Sequence, residues 1–94
     1  MSQTIAVDCR PVAGGWSCVV RVGTDPSATE HRVGVGDGDL ARLDPAASEP
    51  TDLVRRSFAF LLRREPRESI LPSFDLTVIG RYFPEWEETI RARG

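Results

Sequence analysis

The chain contains no lysine and no asparagine, and all twelve of its basic residues are arginine. Both missing residues have AT-rich codons, so a GC-rich genome accounts for the bias. The abundance of arginine is therefore no sign of polyanion binding by itself. A net charge of −2 and a pI of about 5.3 exclude bulk attraction to nucleic acid and leave only a local basic patch open. There are two cysteines, Cys9 and Cys18, and one histidine, His31, too few and wrongly spaced for a zinc site. No apolar run approaches the ~20 residues of a membrane span. The N-terminal MSQTIAVDCR lacks a basic stretch followed by an apolar one, so it does not read as a signal peptide. A cytoplasmic protein without membrane contact is expected. Cys9 and Cys18 have two readings, a redox disulfide if they lie opposite one another, or buried thiols acting as small apolar residues, the reading expected in a reducing cytosol.

What is present is ordinary for a globular protein: 94 residues, 40% hydrophobic and 28% charged. That predicts one domain over residues 1–94 with one modest core. The longest helical periodicity runs from Thr51 to Glu65. Val54, Phe58, Leu61 and Leu62 fall on one side at helical spacing, the stripe of a core-facing helix. Leu53 and Phe60 make a second, flanking stripe, so the apolar arc is wide enough for two covering layers. Pro50 suits the first turn, with Ser48 or Glu49 before it as cap. Pro66 is expected to end the helix, because it pushes Glu65 out of the α region.

Period-two alternation marks strands on both sides of Val12-Ala13-Gly14-Gly15. Ile5, Val7 and Cys9 alternate in the first, and Trp16, Cys18, Val20 and Val22 in the second. A register with Cys9 opposite Cys18 and Ile5 opposite Val22 puts every apolar residue on one face, and a one-residue slip scatters them. Residues 29–35 predict a third strand, registered so that Arg21 faces Glu30 rather than Arg32. Asp37 or Asp39 is expected to cap a short turn around Leu40 and Leu43. Glu68 to Ser73 is expected to form one turn. Asp75 is placed as the cap of a helical piece over 76–82, and a second piece follows over 84–92. The fold class is thus α+β: a three-stranded antiparallel meander, one main helix packed across it, and short C-terminal helices covering that helix's other side.

The string SFAFLLRREPRESILPSFDLTVIGRYFPEWE, with GWSCVVRV and TEHRV in the strands and LARLDP before the helix, resembles a small family of proteins of actinobacteria and other GC-rich bacteria. No activity is known for that family. The resemblance implies a bacterial, cytosolic, single-domain protein and transfers no functional residue.

Three sets of residues are candidates for function. Leu53, Phe60 and Trp86 form a candidate surface for a protein partner or for self-association, with Trp86 the expected exposed anchor. Arg55, Arg56, Arg63, Arg64 and Arg67 form a candidate basic strip for phosphate or an acidic partner, set against the alternative of a solvated helix face partly paired with Asp52, Glu65 or Glu68. Arg10, Arg21 and Arg32 share the outer face of the three strands, as in sheets that read nucleic acid, with Asp8 and Glu30 diluting their charge. His31 has no nucleophile or pocket predicted around it, and Glu85, Glu87 and Glu88 match no ligand pattern, so neither catalysis nor a cofactor is expected. The function expected is a non-catalytic interaction or accessory module, with a small nucleic-acid-binding regulator as the alternative.

Overall fold

A computed structural model describes residues 3–91 of the chain. Strands β1 (Ile5–Val12) and β2 (Gly15–Val22) form the hairpin that the alternation predicts, closed by the turn Ala13–Gly14. Gly14 takes a φ of 78°, a left-handed conformation that glycine adopts without a steric cost. Cys9 lies opposite Cys18, Val7 opposite Val20 and Ile5 opposite Val22, the expected register. Strand β3 (Thr29–Gly36) pairs antiparallel with β2, and Arg21 does face Glu30.

The sheet is larger than expected. Residues Ser73–Asp75 form a short strand, β4, parallel to β3, and the strand order is β1-β2-β3-β4. The sequence predicts a turn ending at Ser73 and a helix cap at Asp75 and no strand between them, because three residues after a proline are too few to show a period. Tertiary bonding decides instead: the Arg32 N–H donates to the Pro72 carbonyl at 2.8 Å and begins the ladder. The expected meander is therefore three strands of a four-stranded mixed sheet.

Helix α1 (Asp37–Leu43) buries Leu40 and Leu43. Its N-terminal position is Gly36, and neither Asp37 nor Asp39 caps it. Helix α2 (Thr51–Leu62) starts after Pro50, which stands at the cap position itself and not in the first turn, so neither Ser48 nor Glu49 is the capping residue. Although glutamate is a poor capping residue, the Glu49 carboxylate accepts the Thr51 N–H at 3.1 Å. The helix stops at Leu62, short of Pro66, as the Arg64 and Glu65 N–H groups fold back onto the Leu61 carbonyl. A 3-10 turn spans Arg67–Ser69, and a second over Leu76–Val78 runs directly into α3 (Ile79–Tyr82). Asp75 stands at the expected cap position of this piece without a side-chain bond. Helix α4 (Trp86–Arg91) follows, and its expected extension to residue 92 lies outside the described residues. No helix among the described residues is long and apolar enough to cross a membrane.

Both faces of α2 are used. On one side Phe58 packs against the His31 ring at 5.3 Å and the Phe74 ring at 6.0 Å. On the other, Phe60 meets Phe83 edge-on at 5.8 Å, and the Trp86 indole N–H donates to the Ser57 hydroxyl at 3.1 Å. Helix α1 is tied to α4 by an ion pair between Arg42 and Glu87. The hydrogen bond from Arg42 holds the Glu87 carboxyl below its ordinary range, against the opposing effect of desolvation and with help from the charges of Arg42 and Arg91.

The cysteines correct an expectation. They form a disulfide, not a pair of thiols, and only Cys18 is fully buried. The cause is the hairpin register itself. Val12 and Gly15 close a two-residue turn, so the even-numbered residues of β1 exchange ladder bonds with β2. Cys9 and Cys18 then occupy a non-hydrogen-bonded site, where opposing residues come closest, and their Cα atoms are 4.0 Å apart. The expectation of thiols came from the assumed compartment and from the valines beside both cysteines, whereas the facing register pointed to the disulfide. Purified under air and denatured without reductant, the protein should take up no thiol alkylator. Reduction first should add two labels and lower stability by up to about 2.5 kcal/mol, the loop-entropy value for so short a ring. Two labels without reduction, read by intact mass, would contradict the cross-link.

Candidate functional site

The side chains expected to meet a partner are core. Leu53 is fully buried, and Phe60 and Trp86 are 5% and 1% exposed. Trp86 in particular is no exposed anchor. The tail folds back over α2, and the second apolar stripe of that helix is what it covers. The wide arc was legible in the sequence. Its occupant is the chain itself, because Pro84 and the spacing of Trp86 and Ile90 bring α4 onto the Leu53 side.

The five helix arginines do not form one strip. Arg56 donates to Asp52 and Asp44, each at 2.8 Å, and to the Ile90 carbonyl at 2.8 Å. Arg64 lies over the Phe60 ring at 3.6 Å, bonds the Phe60 carbonyl, and reaches Glu85 at 3.4 Å. Arg67 bridges the segment after α2 to the β2–β3 turn through Asp25 at 2.9 Å and the Val22 carbonyl at 3.3 Å. Gly23 makes room for it: its φ is 93°, and a Cβ there would lie 2.0 Å from the Arg67 Nη1. Of these five, only Arg55 and Arg63 are exposed with no carboxylate partner among the described residues. Arg10, Arg21 and Arg32 are likewise exposed and unpaired on the open sheet face, Arg21 making no ion pair with the Glu30 opposite it.

His31 is a core residue. It is 2% exposed, and both ring nitrogens are occupied. The Leu71 carbonyl can only accept, so Nδ1 donates to it at 2.8 Å. In the neutral ring Nε2 then accepts from the Thr29 hydroxyl at 2.9 Å. Among the described residues no three His, Cys, Asp or Glu side chains come together as metal ligands.

A feature that sequence reasoning missed is an apolar groove of about 360 Å³ beside the C-terminal end of α2. Leu61 and Glu65 form one wall, Leu71 and Phe74 a second, and Val78 and Tyr82 a third. The size and the apolar lining suit one large side chain or a small ligand. Leu71 is 44% and Tyr82 68% exposed, among the few large apolar side chains left open. Glu65 is half-buried and has no cation partner among the described residues. The groove joins three segments far apart in sequence, so no local pattern announces it. The signal present in the sequence was the aromatic set Trp16, Tyr82, Phe83 and Trp86, readable as a docking surface, of which Tyr82 and Phe83 line the groove.

Comparison with protein-family models, with curated proteins and with solved structures gave no match.

The arginines therefore divide into two stability classes. Arg56→Ala removes a half-buried cation from two carboxylates and a carbonyl, and should cost about 2 kcal/mol. Arg55→Ala touches nothing and should stay within ~0.5 kcal/mol of the parent. Denaturant titration of the two variants side by side checks this. Equal effects would show that the Arg56 network is not maintained in solution.

Proposed function

We propose that the protein is a non-catalytic interaction module whose groove receives an apolar side chain of a partner protein, flanked in that partner by an arginine or lysine. The groove beside α2 is the observation that carries this reading. Leu71 and Tyr82 supply an exposed apolar lining, and Glu65 supplies an unpaired charge at its wall. An apolar group entering there removes exposed carbon surface from water, and a basic neighbour neutralises the half-buried carboxylate. The partner surface expected at Leu53, Phe60 and Trp86 is replaced by this one. Kinship with the actinobacterial family belongs to the same proposal. So does a cytoplasmic location, against which the disulfide weighs, since such cross-links persist chiefly in oxidising compartments.

The second reading is a nucleic-acid-binding regulator. Arg10, Arg21 and Arg32, open and unpaired on the sheet face, support it. It ranks lower because Asp8, Glu30 and Asp75 lie exposed on the same face and offset their charge.

Short peptides carrying a central Leu or Phe next to Arg, titrated into isotope-labelled protein, test the two readings together. The first expects amide shifts confined to the groove around Leu71 and Tyr82. It also expects about tenfold weaker binding for Glu65→Gln and for a peptide with Glu in place of Arg. No groove shifts at millimolar peptide, combined with a salt-sensitive shift of the sheet face on adding duplex DNA, would move the second reading to first place.

A further inference from the structure

Strand β1 is an edge of the sheet along its whole length, whereas β4 occupies the other edge beside the groove. The hydrogen-bonding parity of the hairpin says which groups the edge presents. The Gly23 N–H donates to the Thr4 carbonyl at 2.8 Å, and Val12 pairs with Gly15 at the turn. The even-numbered residues of β1 therefore turn their backbone groups toward β2. Those of Ile5, Val7 and Cys9, and the Pro11 carbonyl, point outward. None of them is bonded by another segment of the described chain. Pro11 fits an edge strand, because its missing N–H falls on the unpaired side. The inner-face residues Ile5, Val7 and Cys9 are only half-buried, while their partners Val22, Val20 and Cys18 are fully buried, and Val12 is 48% exposed. An unpaired edge of this kind is a template for another strand.

The charges on β1 select its occupant. We propose that the edge pairs with β1 of a second copy of this chain, antiparallel about Cys9, so that Asp8 of each copy faces Arg10 of the other. Cys9 then exchanges both backbone bonds with Cys9 of the second copy, and each Val7 N–H reaches a Pro11 carbonyl. Val12 gains Ala6 of the second copy as its neighbour. Sliding two residues one way sets Asp8 against Asp8, and two residues the other way sets Arg10 against Arg10. A slide of one residue faces bonded groups with the wrong parity and turns the apolar residues to the wrong side. Asp8 and Arg10 have no ion-pair partner within the described chain, so both are free to pair across the dimer. Exposed charges of this kind fix register more than affinity, so the dimer is weak. The surface lies at the other edge of the sheet from the groove, and the proposal stands or falls without it.

Sedimentation equilibrium of the oxidised protein from micromolar to millimolar concentration tests this, with thermal melts confirming that each variant folds. The wild type should show a monomer–dimer equilibrium. Asp8→Arg and Arg10→Asp should each weaken it about tenfold, since each places two like-charged pairs across the two-fold axis. The double swap Asp8→Arg with Arg10→Asp should restore it. A wild type that stays monomeric throughout overturns the proposal. So do single variants that dimerise like the parent, or a double swap that fails to rescue.

Discussion

The indole N–H of Trp86 is buried, and a buried donor must find an acceptor or cost its full desolvation energy. It finds the Ser57 hydroxyl in the middle of α2, which itself donates to the Leu53 carbonyl at 2.8 Å. This relay fixes where the C-terminal tail lies. It seats α4 against one flank of α2, carries Phe83 to the edge of the Phe60 ring, and brings the Ile90 carbonyl to Arg56. Helix α2 is then enclosed on both flanks. The groove is a by-product of the same constraint. Segments 69–74 and 78–83 must bridge from the end of α2 to the seat of Trp86, and they leave space between them.

This arrangement separates what pattern can predict from what it cannot. The register of the hairpin was legible because only one pairing puts Ile5, Val7, Cys9, Val20 and Val22 together, and the two stripes of α2 were legible for a similar reason at helical spacing. Even the assignment of the tail to the Leu53 and Phe60 side followed from the width of the apolar arc. The same arc also invited an external partner for Trp86, and sequence alone does not tell a helix covered by its own chain from one awaiting another. Strand β4 was hidden because three residues carry no period. The local pairs of Arg56 with Asp52 and of Arg67 with Glu68 were legible at sequence range, whereas the longer bonds of Arg56, Arg64 and Arg67 were hidden because their acceptors, Asp44, Glu85 and Asp25, lie 12, 21 and 42 residues away. Charge composition shows that such pairs exist and not which residues make them.

The surface that remains after these demands are met is divided. The outer sheet face is a mixture of arginines and carboxylates with small residues between them, suited to solvent. The groove offers apolar lining with one acidic wall. The β1 edge offers unpaired backbone with a self-complementary charge pair. These last two surfaces sit at opposite edges of one sheet. Two chains paired through β1 would together present two grooves, and two weak contacts held together bind a repeated partner more tightly than either alone.

The claim on which the rest depends is that the tail is docked on α2 through Trp86 and Ser57. The most direct measurement is the unfolding free energy of Ser57→Ala. Alanine is the better helix former, and in an exposed helix it would raise stability slightly. With the indole docked, the substitution leaves a buried N–H without an acceptor. Stability should then fall by about 1–3 kcal/mol, and the same Ser57→Ala change made on top of Trp86→Phe should no longer lower it. A neutral or stabilising effect in the parent would contradict the account, because it would mean that Trp86 does not rest where the fold requires it.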